Sequence, residues 1–113
     1  MCFKKKKEVK EEIDVYIEDR KTILLTSQEI DILIELDRNK VFKTALLTVQ
    51  EELKYLSPRD NVVVYEIDKK IRDKIGELRL LFNKLDGQDK DYIESLILEI
   101  KVLIKERNAK EIK

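Results

Sequence analysis

Apolar positions recur at intervals of three and four along most of this chain, and that spacing predicts helices. The last third is the clearest case. Ile93, Leu96, Ile97, Ile100, Leu103 and Ile104 fall on one helical face, while Glu94, Glu99, Lys101, Lys105 and Glu106 fill the others. Asp89 is placed to cap this helix and Asp91 to sit in its first turn, so the pattern predicts a helix from about Lys90 to about Ala109. Ile67, Ile71, Ile75, Leu78, Phe82 and Leu85 repeat the pattern upstream, with Glu66 to Lys70 and Asp68 to Arg72 as favourable pairs four residues apart. This second helix is expected from near Asn61 to Leu85, with Gly87 as its stop. The run Val62 to Tyr65 also suits a short strand, but the stripe extends back to Val64 and favours the helix. The link Asp86 to Asp89 is so short that the two helices must form an antiparallel hairpin.

The middle of the chain carries a third pattern, Ile30, Leu33, Ile34, Val41, Ala45, Leu46, Val49, Leu53 and Leu56, closed by Ser57-Pro58. Thr26 and Glu29 have capping-box spacing at its start. The polar run Asp37 to Lys40 interrupts the stripe, either as a turn between two shorter helices or as the solvated side of one long helix, and the reading leans to one helix, kinked or frayed there. Between Glu8 and Thr26 the pattern divides. Val9, Ile13, Tyr16 and Ile17 fit a short helix near Val9 to Ile17, whereas Val15 to Ile17 and Thr22 to Leu25 fit a short β-hairpin near residues 15–25. The expected fold is mainly all-α: a small antiparallel helical bundle with a C-terminal helical hairpin. Residues 1–8 are expected to be a flexible basic tail and residues 9–110 a single helical domain.

Composition supports long elements, since 113 residues contain only two Gly and one Pro while 42% are apolar and 42% charged. Twenty-four basic residues balance twenty-four acidic ones, whereas a chain that holds nucleic acid through its phosphates usually has a basic excess. A local excess exists in the first ten residues, where five lysines face one glutamate. One cysteine, Cys2, allows no intrachain disulfide, and no export signal or membrane span is legible, so a cytoplasmic location is expected. The abundance of Lys, Ile and Glu suggests a bacterial or phage origin.

Candidate chemistry is thin. With no His, the usual nucleophile and base pairs and most zinc sites are excluded, and the scattered carboxylates form no recognisable set. The two glycines stand apart and make no phosphate loop. No enzyme activity, cofactor, metal or small-molecule substrate is expected. Three binding readings are left. The first is a protein interaction module, an adaptor, inhibitor or regulator acting by helix packing and self-association as an oligomer, with Leu46, Leu53 and Leu80 as its interface; its stripes hold more apolar residues than a small bundle needs. The second rests on Leu25 to Leu33 with its capping-box spacing, Val41-Phe42, and Val64 to Arg72. In this order of elements residues 25–75 resemble the winged-helix DNA-binding domain of bacterial response regulators. The resemblance implies a DNA-binding regulator with Lys69, Lys70 and Arg72 on a recognition helix, although where that family has a β wing this chain continues as helix. In the third, Phe3 with Lys4, Lys5, Lys6 and Lys7 touches an anionic membrane surface.

Overall fold

The computed structural model describes residues 15–37, 40–83 and 90–112. They form four helices, α1 (Val15–Leu36), α2 (Lys43–Lys54), α3 (Val62–Asn83) and α4 (Lys90–Ile112), and no strand occurs among them. The all-α bundle and its C-terminal helical pair are therefore present as expected. The short helix near Val9 to Ile17, the tail at residues 1–8 and the caps at Gly87 and Asp89 lie mostly or wholly outside the described residues.

Helix α3 packs on α1 and on α4, α1 packs on α2, and α2 packs on α4. These four contacts make a ring, and the diagonal pairs do not touch through their backbones. Side-chain pairs set the directions. Glu29 meets Arg79, and Asp19 lies beside Asp68, so α1 and α3 run parallel. Lys74 meets Glu99 at 2.8 Å and Tyr92 donates to Glu77 at 2.7 Å, so α4 returns antiparallel to α3. Asp31 accepts from Gln50 on the antiparallel α1 and α2. The link between α2 and α3 therefore crosses one end of the bundle. Inside, Ile30, Leu33, Leu46, Val49, Leu53, Ile67, Ile71, Ile75, Leu78, Ile93, Leu96, Ile97, Ile100 and Ile104 form one continuous core. At the end opposite the crossing, the Phe42 and Phe82 rings stack with centroids 5.7 Å apart.

The structure corrects three expectations. Residues 15–25 form no β-hairpin, because α1 runs unbroken through them. Its buried face is Asp19, Thr22, Thr26, Ile30 and Leu33, at spacings of three and four, while Ile17, Leu24 and Leu25 point outward. The first half of the helix thus buries polar residues, which hid its period. Thr26 is correspondingly no N-cap. Its hydroxyl donates to the Thr22 carbonyl at 2.6 Å within the helix, and Glu29 reaches to Arg79 instead of backward.

The third correction concerns Asp37 to Lys40, which separates two helices instead of kinking one. Asp37 is buried, and its carboxylate accepts from Val41 N–H at 3.1 Å and Phe42 N–H at 2.9 Å, supplying acceptors at the start of α2. Lys40 takes φ 58°, a left-handed turn conformation that no helix interior holds. Val62 to Tyr65 are helical as the stripe predicts. Asn61 caps them, its side-chain oxygen accepting from Val63 N–H at 2.9 Å and Val64 N–H at 3.2 Å, and Val64 is fully buried.

Candidate functional site

Of the three leucines expected at an interface, the structure places two inside. Leu46 and Leu53 are 0% and 2% exposed and belong to the core, because α2 is only twelve residues long and spends its apolar face on α1 and α4. Only Leu80, 68% exposed on α3, is a surface residue. It borders a groove of about 640 Å³ along the parallel pair α1 and α3, together with Leu25 and Gly76. Among the described residues a Cβ built on Gly76 would meet nothing within 4 Å, so bare backbone forms this part of the groove wall. The rim is charged in both signs. Arg79 clasps Glu29 with both carboxylate oxygens in reach, at 3.1 and 2.8 Å, and Arg72 lies 3.6 Å from Asp73. A second exposed apolar strip, Leu98 and Val102, lies on the outward side of α4.

The basic residues assigned to nucleic-acid contact are on α3. Lys69 lies 3.3 Å from Glu66 and over the Tyr65 ring at 4.5 Å, Arg72 lies beside Asp73, and Lys70 is exposed. Acids on the same helix offset two of the three charges a phosphate would need. Val64, Ile67, Ile71 and Ile75 commit the other side of this helix to the core, and the described part of residues 25–75 has no strand to serve as a wing. Phe3, Lys4, Lys5, Lys6 and Lys7 lie outside the described residues.

A buried polar cluster was not anticipated. Asp19 of α1, Asp68 of α3 and Arg107 of α4 meet at the crossing end of the bundle, all nearly or wholly hidden from solvent. Arg107 Nε donates to Asp68 Oδ1 at 2.8 Å, its Nη2 donates to the Ser57 carbonyl and lies 3.9 Å from Asp19 Oδ2. Asp19 Oδ2 also accepts from the Arg59 backbone N–H at 2.8 Å. Pro58, which has no N–H of its own, sits between those two backbone groups. The cluster therefore ties α1, α3 and α4 to the α2–α3 link that passes over them.

Two carboxylates share one guanidinium here, and burial raises the Asp68 pKa to about 8, helped by a hydrogen bond with Asp19 and opposed by Arg107. At neutral pH Asp68 is accordingly a protonated acid. A protonated Asp68 can donate to Asp19, and Asp19 Oδ1 and Asp68 Oδ2 have no other hydrogen-bond partner among the described residues. The crevice beside it, lined by Ile23, Thr26, Leu53, Leu56, Asp68 and Ile71, is too narrow for water. A closed cluster of this kind has no room for a substrate. Part of its signal was present in the sequence, since Asp68 lies within the buried stripe of α3 and Asp19 and Arg107 extend those of α1 and α4, but a stripe scored by apolar residues alone passes over the first and ends before the other two.

Among the described residues no three Asp, Glu or Cys side chains are grouped as metal ligands, and no helix is long and apolar enough to cross a membrane. No protein-family model, curated protein or solved structure matches this chain.

Proposed function

We propose that this protein is a non-enzymatic helical interaction module whose groove along α1 and α3 receives a helix of another protein, with a second copy of itself as the first partner to test. One observation carries the reading: two exposed leucines, Leu25 and Leu80, line one groove with a bare stretch of helix at Gly76. A glycine inside a helix costs about 1 kcal/mol relative to alanine, and among the described residues nothing comes close enough to require it here. Its use is to let another backbone come close. Apolar anchors surrounded by charges of both signs are what a protein surface would meet with its own apolar centre and polar rim.

Size exclusion with light scattering over a range of protein concentrations, recorded at 260 and 280 nm, tests this reading. A mass that rises above the monomer with concentration, with no excess absorbance at 260 nm, supports it. With four Tyr and no Trp the protein absorbs weakly, so bound nucleic acid would be conspicuous. A nucleic-acid signal that leaves at high salt would overturn it, and a monomer at every concentration would exclude the second copy as the partner.

A further inference from the structure

We propose that the Asp19, Asp68 and Arg107 cluster is a proton-linked latch on the α2–α3 link: it holds the link down while the two carboxyl groups share a proton, and opening it releases that proton. Three buried groups meet here, two carboxyls within hydrogen-bond reach of each other and one guanidinium. With a proton between the carboxyls the set is neutral, since the remaining negative charge is balanced by Arg107. Without it, two carboxylates face each other beside a crevice too narrow for water, and one negative charge is left buried and unbalanced. The charged groups that act on Asp68 come from two helices, Asp19 from α1 and Arg107 from α4. Across the crevice α2 and the link present Leu53 and Leu56, while the side chains of Arg59 and Asp60 are exposed.

The link depends on this set at two points. The Ser57 carbonyl accepts from Arg107 Nη2, and the Arg59 N–H donates to Asp19 Oδ2 at 2.8 Å. The same Nη2 lies 3.9 Å from Asp19 Oδ2, so one guanidinium nitrogen stands between a neutral acceptor and a charged one. Loss of the proton draws the guanidinium onto both carboxylates and off the Ser57 carbonyl, because the charged acceptors bind it more strongly. Ile30, Ile67, Ile71 and Ile100 hold α1, α3 and α4 together in the core, whereas the link adds the half-buried Leu56 and no helix of its own. The link is therefore the part that lifts. Lifting withdraws Leu56 and opens the apolar lining of the crevice, Ile23, Leu53 and Ile71, to water.

Amide hydrogen exchange of the full chain, followed by NMR, reads the latch at Arg59, whose N–H is one of the two ties. Between pH 5.5 and 7.5 the closed form keeps a proton that the open form has lost, so protection of the Arg59 amide, taken against its unstructured rate at each pH, should fall about tenfold per pH unit. Urea below the unfolding transition should leave that protection unchanged while lowering that of Ile71 in the middle of α3, since a local opening exposes little surface. Asp68→Asn removes the titrating group and should flatten the pH dependence at Arg59. Asp19→Asn, which leaves Asp68 with Arg107 and an amide donor, should reduce it. The inference is overturned if Arg59 protection in the wild type does not change with pH, if it follows Ile71 in urea, or if either folded variant keeps the wild-type slope. None of these outcomes bears on the groove along α1 and α3.

Discussion

Between pH 5.5 and 8 a chain without histidine has few side chains that change charge, and Asp68 is one of them. Burial, with the neighbouring Asp19, holds its proton in the native state up to about pH 8, whereas the unfolded carboxyl releases it near 3.8. Over that interval the native state binds the extra proton, so stability falls as pH rises from about 4 to about 8 and levels off above. Asp68→Asn keeps the shape, can still donate toward Asp19 and accept from Arg107, and cannot ionise. Melting temperature should therefore decline between pH 5.5 and 8 in the wild type and decline less in Asp68→Asn. Parallel curves would refute the protonated pair. Arg107→Leu tests the other side of the cluster: it leaves Asp19 buried without its counter-charge and removes the donor to Ser57, and should cost about 3–5 kcal/mol in urea unfolding. Gly76→Ala should act in the opposite direction. The added Cβ meets nothing, and the helix gains about 1 kcal/mol, which in dilute protein raises the melting temperature by roughly 4–8 °C.

The separation of α1 from α2 depends on Asp37, whose one carboxylate serves two backbone N–H groups at the start of α2. Asp37→Ala should lose about 1–2 kcal/mol, with the amides of Val41 and Phe42 showing faster hydrogen exchange than any in the middle of α3. Unchanged exchange at those two amides would mean the cap is incidental. The helices themselves differ in how openly the sequence displays them. Helices α3 and α4 bury isoleucine and leucine, so a hydrophobic period finds them and the hairpin between them. Helix α1 buries Asp19, Thr22 and Thr26 along the same period and turns Ile17, Leu24 and Leu25 outward, so its N-terminal half imitates two strands. The break before α2 was obscured for a related reason: apolar residues continue on both sides of it, and a capping aspartate reads like any solvated charge until its acceptor role is seen.

At the scale of the molecule, four helices in a ring leave two parallel neighbours, α1 beside α3 and α2 beside α4, and the chain must cross an end of the bundle to achieve this. The Asp19, Asp68 and Arg107 cluster holds that crossing by the backbone of Ser57 and Arg59. A buried ion pair is by itself weak evidence of stability, and the geometric effect of this one is to join three helices to the α2–α3 link. Local periodicity cannot reveal which helices become neighbours, and this is why an interface drawn from stripes alone included Leu46 and Leu53, which the ring encloses, beside Leu80, which it leaves outside. One part of the surface that the fold does not explain is the short stretch around Gly76, Leu80 and Leu25, and the account assigns it to association. Sedimentation velocity of the wild type and Leu80→Glu across a hundredfold concentration range tests that claim most directly. Leu80 is exposed, so the substitution should leave the melting temperature within about 0.5 kcal/mol of stability. The account predicts a wild-type sedimentation coefficient that climbs toward the dimer while Leu80→Glu stays at the monomer; identical coefficients for the two proteins at every concentration would contradict it.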